Sequence, residues 1–357
     1  MKILIAENSF DGAYCSFRTF FDEIERALKR MGHKVFRADN VRDLETVYNR
    51  HTVDFSLGIG KYSFLPEGQP LCEKYMKPHY QWIIDSPMKM PGIAGEYFVP
   101  VFIDREFAEM YDEPPENYLW LPLGVELDGN ESVGSKRENG IIFAGQVKSI
   151  DALRDEIMQS RQRNIIWRFI NAMTSNLDAS FVLRYKKFVA DNEPDDREEF
   201  FRLTNSYIRS VKRVNILQRI NHFPLILAGD ISEKSILQKH NVLYIGKVPY
   251  DNLHEIFSHY THALHISPNF SVCIHDRILR GLKAGCNVIA EENKVLRTVF
   301  GGTLTYFGYA TFSGEIPHIS HEEVTKARKV LKCFSWDNIL LSVIEHYHKM
   351  RRPYDKS

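Results

Sequence analysis

The chain has 357 residues, and its 46 Lys and Arg balance its 46 Asp and Glu, so the formal net charge is zero. A hydrophobic content of 44% and an aromatic content of 12% are typical of a globular protein and exclude an intrinsically disordered one. The length suffices for two domains with cores of their own. A general nucleic-acid binder would be basic overall, so the composition argues against that class and leaves only a local basic patch open.

The cysteines and the N-terminus indicate a reducing compartment. None of the five cysteines has the spacing of a metal site or a redox motif, so we interpret them as free thiols. In the opening MKILIAENSFDG, the apolar run is too short and the residues that follow are too polar for a signal peptide. No apolar run in the chain approaches the ~18 residues of a membrane span. We expect a soluble, cytoplasmic protein, and peripheral contact with the inner membrane face stays open.

The N-terminal part alternates predicted strands and helices. Apolar residues at helical spacing predict an amphipathic helix over Ser16–Met31 and a second helix over Val41–Arg50. Short apolar runs predict strands at Lys2–Ala6, Lys34–Arg37, Asp54–Leu57, Tyr80–Ile84, Phe98–Phe102 and Tyr118–Leu121. Strands that alternate with helices indicate a parallel sheet covered on both faces.

A polar stretch from Glu126 to Asn139 has the composition of an inter-domain linker, and a second series of elements follows it. The charged stretch at about 150–220 predicts a helical insertion without strands. Predicted strands then lie at Gly140–Ala144, Leu225–Ala228, Val242–Ile245, His262–Ile266 and Cys286–Ala290, and predicted helices at Asp276–Ala284 and Trp336–Arg351. The fold class is therefore α/β, with two doubly wound parallel-sheet, Rossmann-like domains at 1–130 and 131–335 and a C-terminal helix at 336–357.

The segment Ser267–Asn293 is the most informative part of the chain. A strand, a polar loop and a helix start that carries His275, Asp276 and Arg277 form a site suited to a phosphate group. The alternative is an ordinary strand–helix–strand unit whose charges are solvated.

Other polar residues follow the predicted strands of the second domain. Ligands of such sheets bind beyond the carboxyl ends of the strands, so these residues converge on one edge. The cations Lys148, Lys247 and Arg277 would stabilise a diphosphate, unless the two lysines only solvate loops. The predicted ligand-binding set is Gly145, Lys148, Lys247, Tyr250, Asn269, His275, Asp276, Arg277, Glu291 and Glu292.

Two carboxylates of the first domain are candidate catalytic residues. Asp11 follows the first strand, and Asp85 ends the run Tyr80–Ile84 directly before Ser86 and Pro87. A carboxylate at the end of a strand suits general-base chemistry, although Asp-Ser-Pro also favours a simple turn or helix cap. Four histidines at 254, 259, 262 and 265 lack metal-site spacing, so no metal is predicted.

The chain resembles glycosyltransferases of the GT-B fold, and in particular the spore-maturation CgeB-like group. The resemblance is carried by Trp82–Pro87, Ile141–Gly145, Gly246–Tyr250, Phe334–Trp336 and above all the stretch from His275 through Gly285 to Ile289. It implies two domains facing across a cleft and transfer of a sugar from a nucleotide-diphosphate sugar to a glycan, lipid or protein acceptor, without cofactor or metal. The second domain would hold the nucleotide, the first the acceptor, and the last helix would cross back to the first domain.

One position departs from the resemblance. Related enzymes often have Glu five residues before the helix-ending glycine, where it binds the donor ribose, and this chain has Arg280 there. Either Asp276, Glu291 or Glu292 replaces it, or the donor is bound in a different position. A nucleotide-sugar epimerase on the same fold and a non-catalytic nucleotide-sugar-binding protein stay open as alternatives.

Overall fold

The chain divides into two compact units. The computed structural model describes residues 1–7, 16–60, 70–84, 95–110, 115–127, 137–316 and 321–351. The first unit comprises Met1–Asp128, Pro249–Asp251 and Lys332–Ser357, and the second comprises Gly129–Val248 and Asn252–Leu331. Each unit is built around its own six-stranded sheet.

The first sheet has the strand order β2-β1-β3-β4-β5-β6, and all of its pairings are parallel. Its two central strands are buried along their length, as strands covered on both faces must be. Its strands are β1 Lys2–Ala6, β2 Lys34–Ala38, β3 Phe55–Ile59, β4 His79–Ile83, β5 Phe98–Phe102 and β6 Leu119–Trp120. Its helices are α1 Ser16–Arg30, α2 Val41–Arg50, α3 Leu71–Tyr75, α4 Arg105–Met110 and α14 Trp336–Arg351.

The second sheet has the order β12-β11-β10-β7-β8-β9, again with parallel pairings, which is the arrangement of a Rossmann sheet. Its strands are β7 Glu138–Ala144, β8 Leu225–Ala228, β9 Val242–Gly246, β10 Tyr260–His265, β11 Asn287–Glu291 and β12 Thr305–Phe307. Its helices are α5 Ile150–Gln159, α6 Arg163–Thr174, α7 Phe181–Asn192, α8 Arg197–Arg219, α9 Lys234–Leu237, α10 Leu253–Ser258, α11 Asp276–Lys283, α12 Lys294–Phe300 and α13 His321–Val330.

The predicted class of two doubly wound parallel α/β sheets is confirmed, and most predicted elements shift by only one or two residues. The sequence analysis missed β12, the short helices α3, α4, α9, α10 and α12, and the ten-residue helix α13. All but α13 are too brief to show a clear period. It placed a strand over Tyr118–Leu121, where only Leu119 and Trp120 pair with β5. Of the five cysteines, the four that lie in the described ranges are free thiols.

The predicted helical insertion is present as α5–α8, a cluster of four helices with an aromatic core. The Phe169 ring lies at its centre, and it contacts Phe181, Tyr185 and Phe200 with ring centroids 5.6 to 6.2 Å apart. Edge-to-face contacts of this kind add stability beyond the area that they bury. The insertion is therefore a folded part of the second unit with a hydrophobic core of its own.

Helix α14 packs on the first unit through Trp336. This side chain is fully buried, and its indole N–H donates to the buried Glu23 carboxylate of α1 at 2.8 Å. A Cβ atom on Gly124 would lie only 2.5 Å from the indole ring, so the backbone there passes directly over Trp336. The apolar face predicted for the helix, Ile339, Leu340, Val343 and Ile344, is buried as well.

We predict that Trp336→Phe lowers the free energy of unfolding by about 2–4 kcal/mol, because it removes a donor from a buried carboxylate and leaves a void. Urea denaturation followed by circular dichroism measures the change. Trp120→Phe is the matched control, since Trp120 is 37% exposed and should cost little. Equal effects of the two substitutions would contradict the role assigned to Trp336.

A buried chain of polar side chains crosses the first sheet. Tyr48 donates to Ser56 at 2.7 Å, Ser56 contacts His79 Nδ1 at 2.7 Å, and His79 Nε2 contacts Gln81 Oε1 at 2.8 Å. Gln81 in turn donates to the Gly60 carbonyl at 2.8 Å. Burial lowers the pKa of His79 from 6.5 to about 4, although the contact with Gln81 acts in the opposite direction.

This pKa predicts a loss of stability in acid. Between pH 6.5 and about 4 the unfolded chain binds a proton at His79 that the folded protein does not, so the free energy of unfolding falls by about 3 kcal/mol across this window. His79→Gln should flatten the pH dependence of unfolding by that amount, whereas His222→Gln, on an exposed side chain, should leave it unchanged. An equally steep profile for His79→Gln would show that another group is responsible.

Candidate functional site

The candidate site lies where the second sheet reverses its winding direction, between β7 and β10. At such a point the connections leave on opposite faces of the sheet and open a crevice beyond the carboxyl ends of the two strands. Gly145 directly follows β7, the loop from Ile266 leaves β10, and α11 begins at Asp276. The sheet topology therefore brings together the segments that the sequence analysis singled out.

Arg277 is fixed across this point by two contacts. Its Nη1 donates to the Ala144 carbonyl at the end of β7, at 2.6 Å, and its Nη2 lies 3.1 Å from His275 Nε2. A guanidinium always carries its protons, so Nε2 accepts this bond.

His275 and Asp276 orient this arginine. Asp276 Oδ1 lies 2.5 Å from His275 Nδ1, closer than the Arg277 amide nitrogen at 3.3 Å, which places the imidazole proton on Nδ1. Burial lowers the pKa of His275 and outweighs the neighbouring carboxylate, so the ring is neutral and can accept from Arg277. The predicted trio His275, Asp276 and Arg277 is thus one connected unit.

Two glycines allow the strand ends to come this close. A Cβ on Gly145 would lie 2.9 Å from the Phe143 ring and 3.0 Å from Arg277 Nη1. Gly229, at the end of β8, has φ +126°, and a Cβ there would lie 2.0 Å from the Gly145 carbonyl oxygen. Only glycine fits at 229 without moving the backbone.

The two predicted lysines lie on loops at the same edge of the sheet. Lys247 is half-exposed, and its Nζ is 3.7 Å from Asp230 Oδ1. Lys148 is half-buried and makes no hydrogen bond or ion pair with any residue that the structure describes. Both are available to an anion that reaches this edge.

The sequence analysis missed three further cations, which helix α8 supplies. Arg209 donates to the Gln146 side chain at 3.1 Å, and Arg213 donates to the Gln146 carbonyl. Lys212 is buried and lies 3.4 Å from Glu291. The sequence could have indicated that these cations face inward, because 209, 212 and 213 share a helix face with the buried Ile216.

The two predicted glutamates are held differently. Glu291 accepts from the Ser267 amide at 3.2 Å and the Tyr309 hydroxyl at 2.7 Å in addition to Lys212, so protein donors already surround its carboxylate. Glu292 is half-exposed and pairs with Arg297 at 2.8 Å.

The remaining predicted residues are dispersed. Asn269 is buried with φ +72°, and its side-chain amide donates to Asn205 Oδ1 at 2.8 Å, while its own Oδ1 has no partner within the described ranges. Tyr250 belongs to the first unit, where its ring packs 5.1 Å from Phe20. Arg280 is buried in α11. The two catalytic candidates, Asp11 and Asp85, lie outside the described residues.

The described part of the chain has neither a cluster of metal ligands nor a membrane-spanning helix. It contains no group of three or more His, Cys, Asp or Glu side chains placed to hold a metal ion. Within the same residues, no helix has the length and apolar character needed to cross a bilayer.

Comparison with solved structures identifies the fold. The chain is similar to AviGT4, a glycosyltransferase of avilamycin A biosynthesis, with a TM-score of 0.56, 12% identity and 98% of each chain covered. It is also similar to Anabaena Alr3699/HepE in complex with UDP and glucose, with a TM-score of 0.52 and 10% identity over 98% of this chain and 100% of that one. A third is an α-glucosyltransferase bound to UDP and a 13-mer DNA containing an HMU base, with a TM-score of 0.55 and 7% identity over 97% and 99% of the two chains.

The fold is that of the GT-B glycosyltransferases. At these identities the likeness establishes the fold alone, although it extends over nearly the whole of each chain. No protein-family model matches the sequence, and neither does any curated protein.

We predict that Gly229→Ala destabilises the second unit by at least about 2 kcal/mol, because the methyl group meets a backbone oxygen and the φ angle is unfavourable for alanine. Thermal unfolding measures the loss. Gly302→Ala is the control, since its Cβ would meet nothing within 4 Å. A melting temperature for Gly229→Ala equal to that of the control would contradict the close approach of β7 and β8.

Proposed function

We propose that the protein is a glycosyltransferase that transfers a sugar from a nucleotide-diphosphate sugar to a glycan, lipid-linked or protein acceptor, without a required metal. The observation that carries the proposal is the cationic edge around Arg277, placed at the switch point of a sheet whose fold is that of GT-B glycosyltransferases. A finer assignment to the CgeB-like group rests on the sequence motifs alone.

The charges suit the diphosphate of a donor. A sugar diphosphate carries about two negative charges, and a guanidinium binds phosphate oxygens with a planar pair of donors. We assign Arg277 to the phosphates, with His275 and Asp276 holding it in place, and Lys148 and Lys247 to the rim. When the bond to the sugar breaks, negative charge grows on the leaving diphosphate, and these preorganised cations stabilise it most at that moment.

The acceptor side of the reaction is assigned to the first unit. If the configuration of the sugar inverts, a base must take the proton of the acceptor hydroxyl, and Asp85 and Asp11 are our candidates. If it is retained, no such protein base is needed. The zero net charge disfavours a nucleic-acid acceptor, and we place the reaction in the cytoplasm, with peripheral membrane contact where the acceptor is a lipid.

The donor ribose needs a partner other than the expected glutamate. The buried Arg280 stands at that position, and Glu292 and Asp276 are engaged with Arg297 and His275. We assign the ribose contact to Glu291, which ends β11 and would exchange one of its present donors for a sugar hydroxyl.

The test is Arg277→Met, assayed by calorimetry with UDP, GDP and dTDP. We expect the affinity for the preferred diphosphate to fall at least about tenfold, since a hydrogen bond between charged groups contributes about 1.5–3 kcal/mol. Arg154→Met, on an exposed arginine of α5, is the matched control. Unchanged affinity in Arg277→Met would remove Arg277 from the site, and no binding of any diphosphate to the native protein would contradict the proposed donor class.

A second assay separates the activities. A transferase releases nucleoside diphosphate from the sugar nucleotide faster when an acceptor is present, whereas an epimerase converts the donor alone. Binding without turnover in either assay would indicate a non-catalytic protein. Turnover should persist in EDTA, and its loss there would contradict metal independence.

A further inference from the structure

The last helix of the four-helix cluster reaches the candidate site as one rigid element. Helix α8 has 23 residues, and its first turns pack Phe200 and Phe201 in the buried core of the cluster. Its last turns place Ile216 and Leu217 in the core beneath β7 and β8. Arg209, Lys212 and Arg213 lie on the intervening turns, so the cluster and the strand ends are mechanically linked through this helix.

Arg213 differs from the other buried cation of α8. Lys212 is paired with Glu291, but Arg213, only 2% exposed, has no ion pair with any described carboxylate. It contacts the Gln146 carbonyl and the face of Phe143, 5.7 Å away, and its Nε has no hydrogen-bond partner among the residues that the structure describes.

The two charges that act most strongly on Arg213 have the same sign as its own, and Glu291 opposes them less strongly. Burial, followed by the positive charges of Arg277 and Arg209, lowers the pKa of the Arg213 guanidinium. A buried charge without a counter-charge is costly, and a second positive group nearby adds to that cost. An anion that binds beside Arg213 and Arg277 would neutralise both.

We propose that Arg213 is a second phosphate-binding residue of the donor site, supplied by the four-helix cluster, and that it binds the same diphosphate as Arg277. This inference rests on the proposed function for the identity of the ligand. It makes the helical cluster α5–α8 part of the donor site, because α8 carries the residue. Binding of the diphosphate would therefore order α8 as well as the loops.

The experiment compares Arg213→Met with Arg202→Met, which removes an exposed arginine of the same helix that pairs with Glu156. Inorganic pyrophosphate and UDP are the probes, and binding is measured by calorimetry. We expect Arg213→Met to weaken the binding of both probes at least about tenfold, Arg213→Lys to lose less, and Arg202→Met to bind as the native protein does. Equal binding by Arg213→Met and Arg202→Met would overturn the inference.

A second measurement needs no variant. Hydrogen exchange of the native protein should show slower amide exchange in α8 when pyrophosphate is added, since the ligand removes the repulsion between the arginines. Unchanged exchange in α8 at saturating pyrophosphate would overturn the inference even if Arg213→Met does not fold.

The outcomes separate the two proposals. Native protein that binds pyrophosphate through Arg213 but binds no nucleoside diphosphate would leave the anion site standing and remove the proposed donor class. Native protein that binds UDP with no contribution from Arg213 would leave the donor class standing and remove this inference.

Discussion

The reversal of the second sheet between β7 and β10 is the constraint on which the candidate site depends. Because the winding changes direction there, the ends of both strands are left uncovered, and polar groups from distant parts of the chain meet at one edge. The bond from Arg277 to the Ala144 carbonyl joins α11 to β7 across this gap. Gly145 and Gly229 are required by the same geometry, since any side chain at 229 would collide with the neighbouring strand.

Buried positive charge is the second organising feature. The buried Lys212 is paired with Glu291, and such a pair offsets part of the loss of hydration. Arg213 contacts a backbone oxygen and an aromatic face, and it forms no ion pair with any carboxylate that the structure describes. A ligand of opposite charge would compensate this buried arginine, which is why our proposal gives Arg213 a more direct role than Lys148 and Lys247.

Much of the fold was predictable because its signals are local. Each of these signals is contained in a short stretch of sequence, as in the apolar run of β7, the helical spacing of α1 and α14, and the glycine after α11. The trio at 275–277 could be found for the same reason.

The partners of these residues could not be read from the sequence. The neutral state of His275 depends on burial and on a carboxylate placed by the helix turn, and Arg213 is 64 positions before Arg277 in the chain. Tyr250 shows the opposite case, since it is next to a predicted site loop in sequence but belongs to the first unit, where it packs on Phe20. The periodicity of α8 shows which of its residues share a face, but it does not show what that face contacts.

The return of the chain to the first unit has a consequence for synthesis on the ribosome. Glu23 and Gly124 belong to the first part of the chain to emerge, but the indole that lies against both arrives only with residue 336. The second unit completes its sheet with β12 at residue 307, before α14 exists. During synthesis the first unit therefore lacks the Trp336 side chain until after the strands of the second unit have been made. The unit that is synthesised first is the one that is completed last.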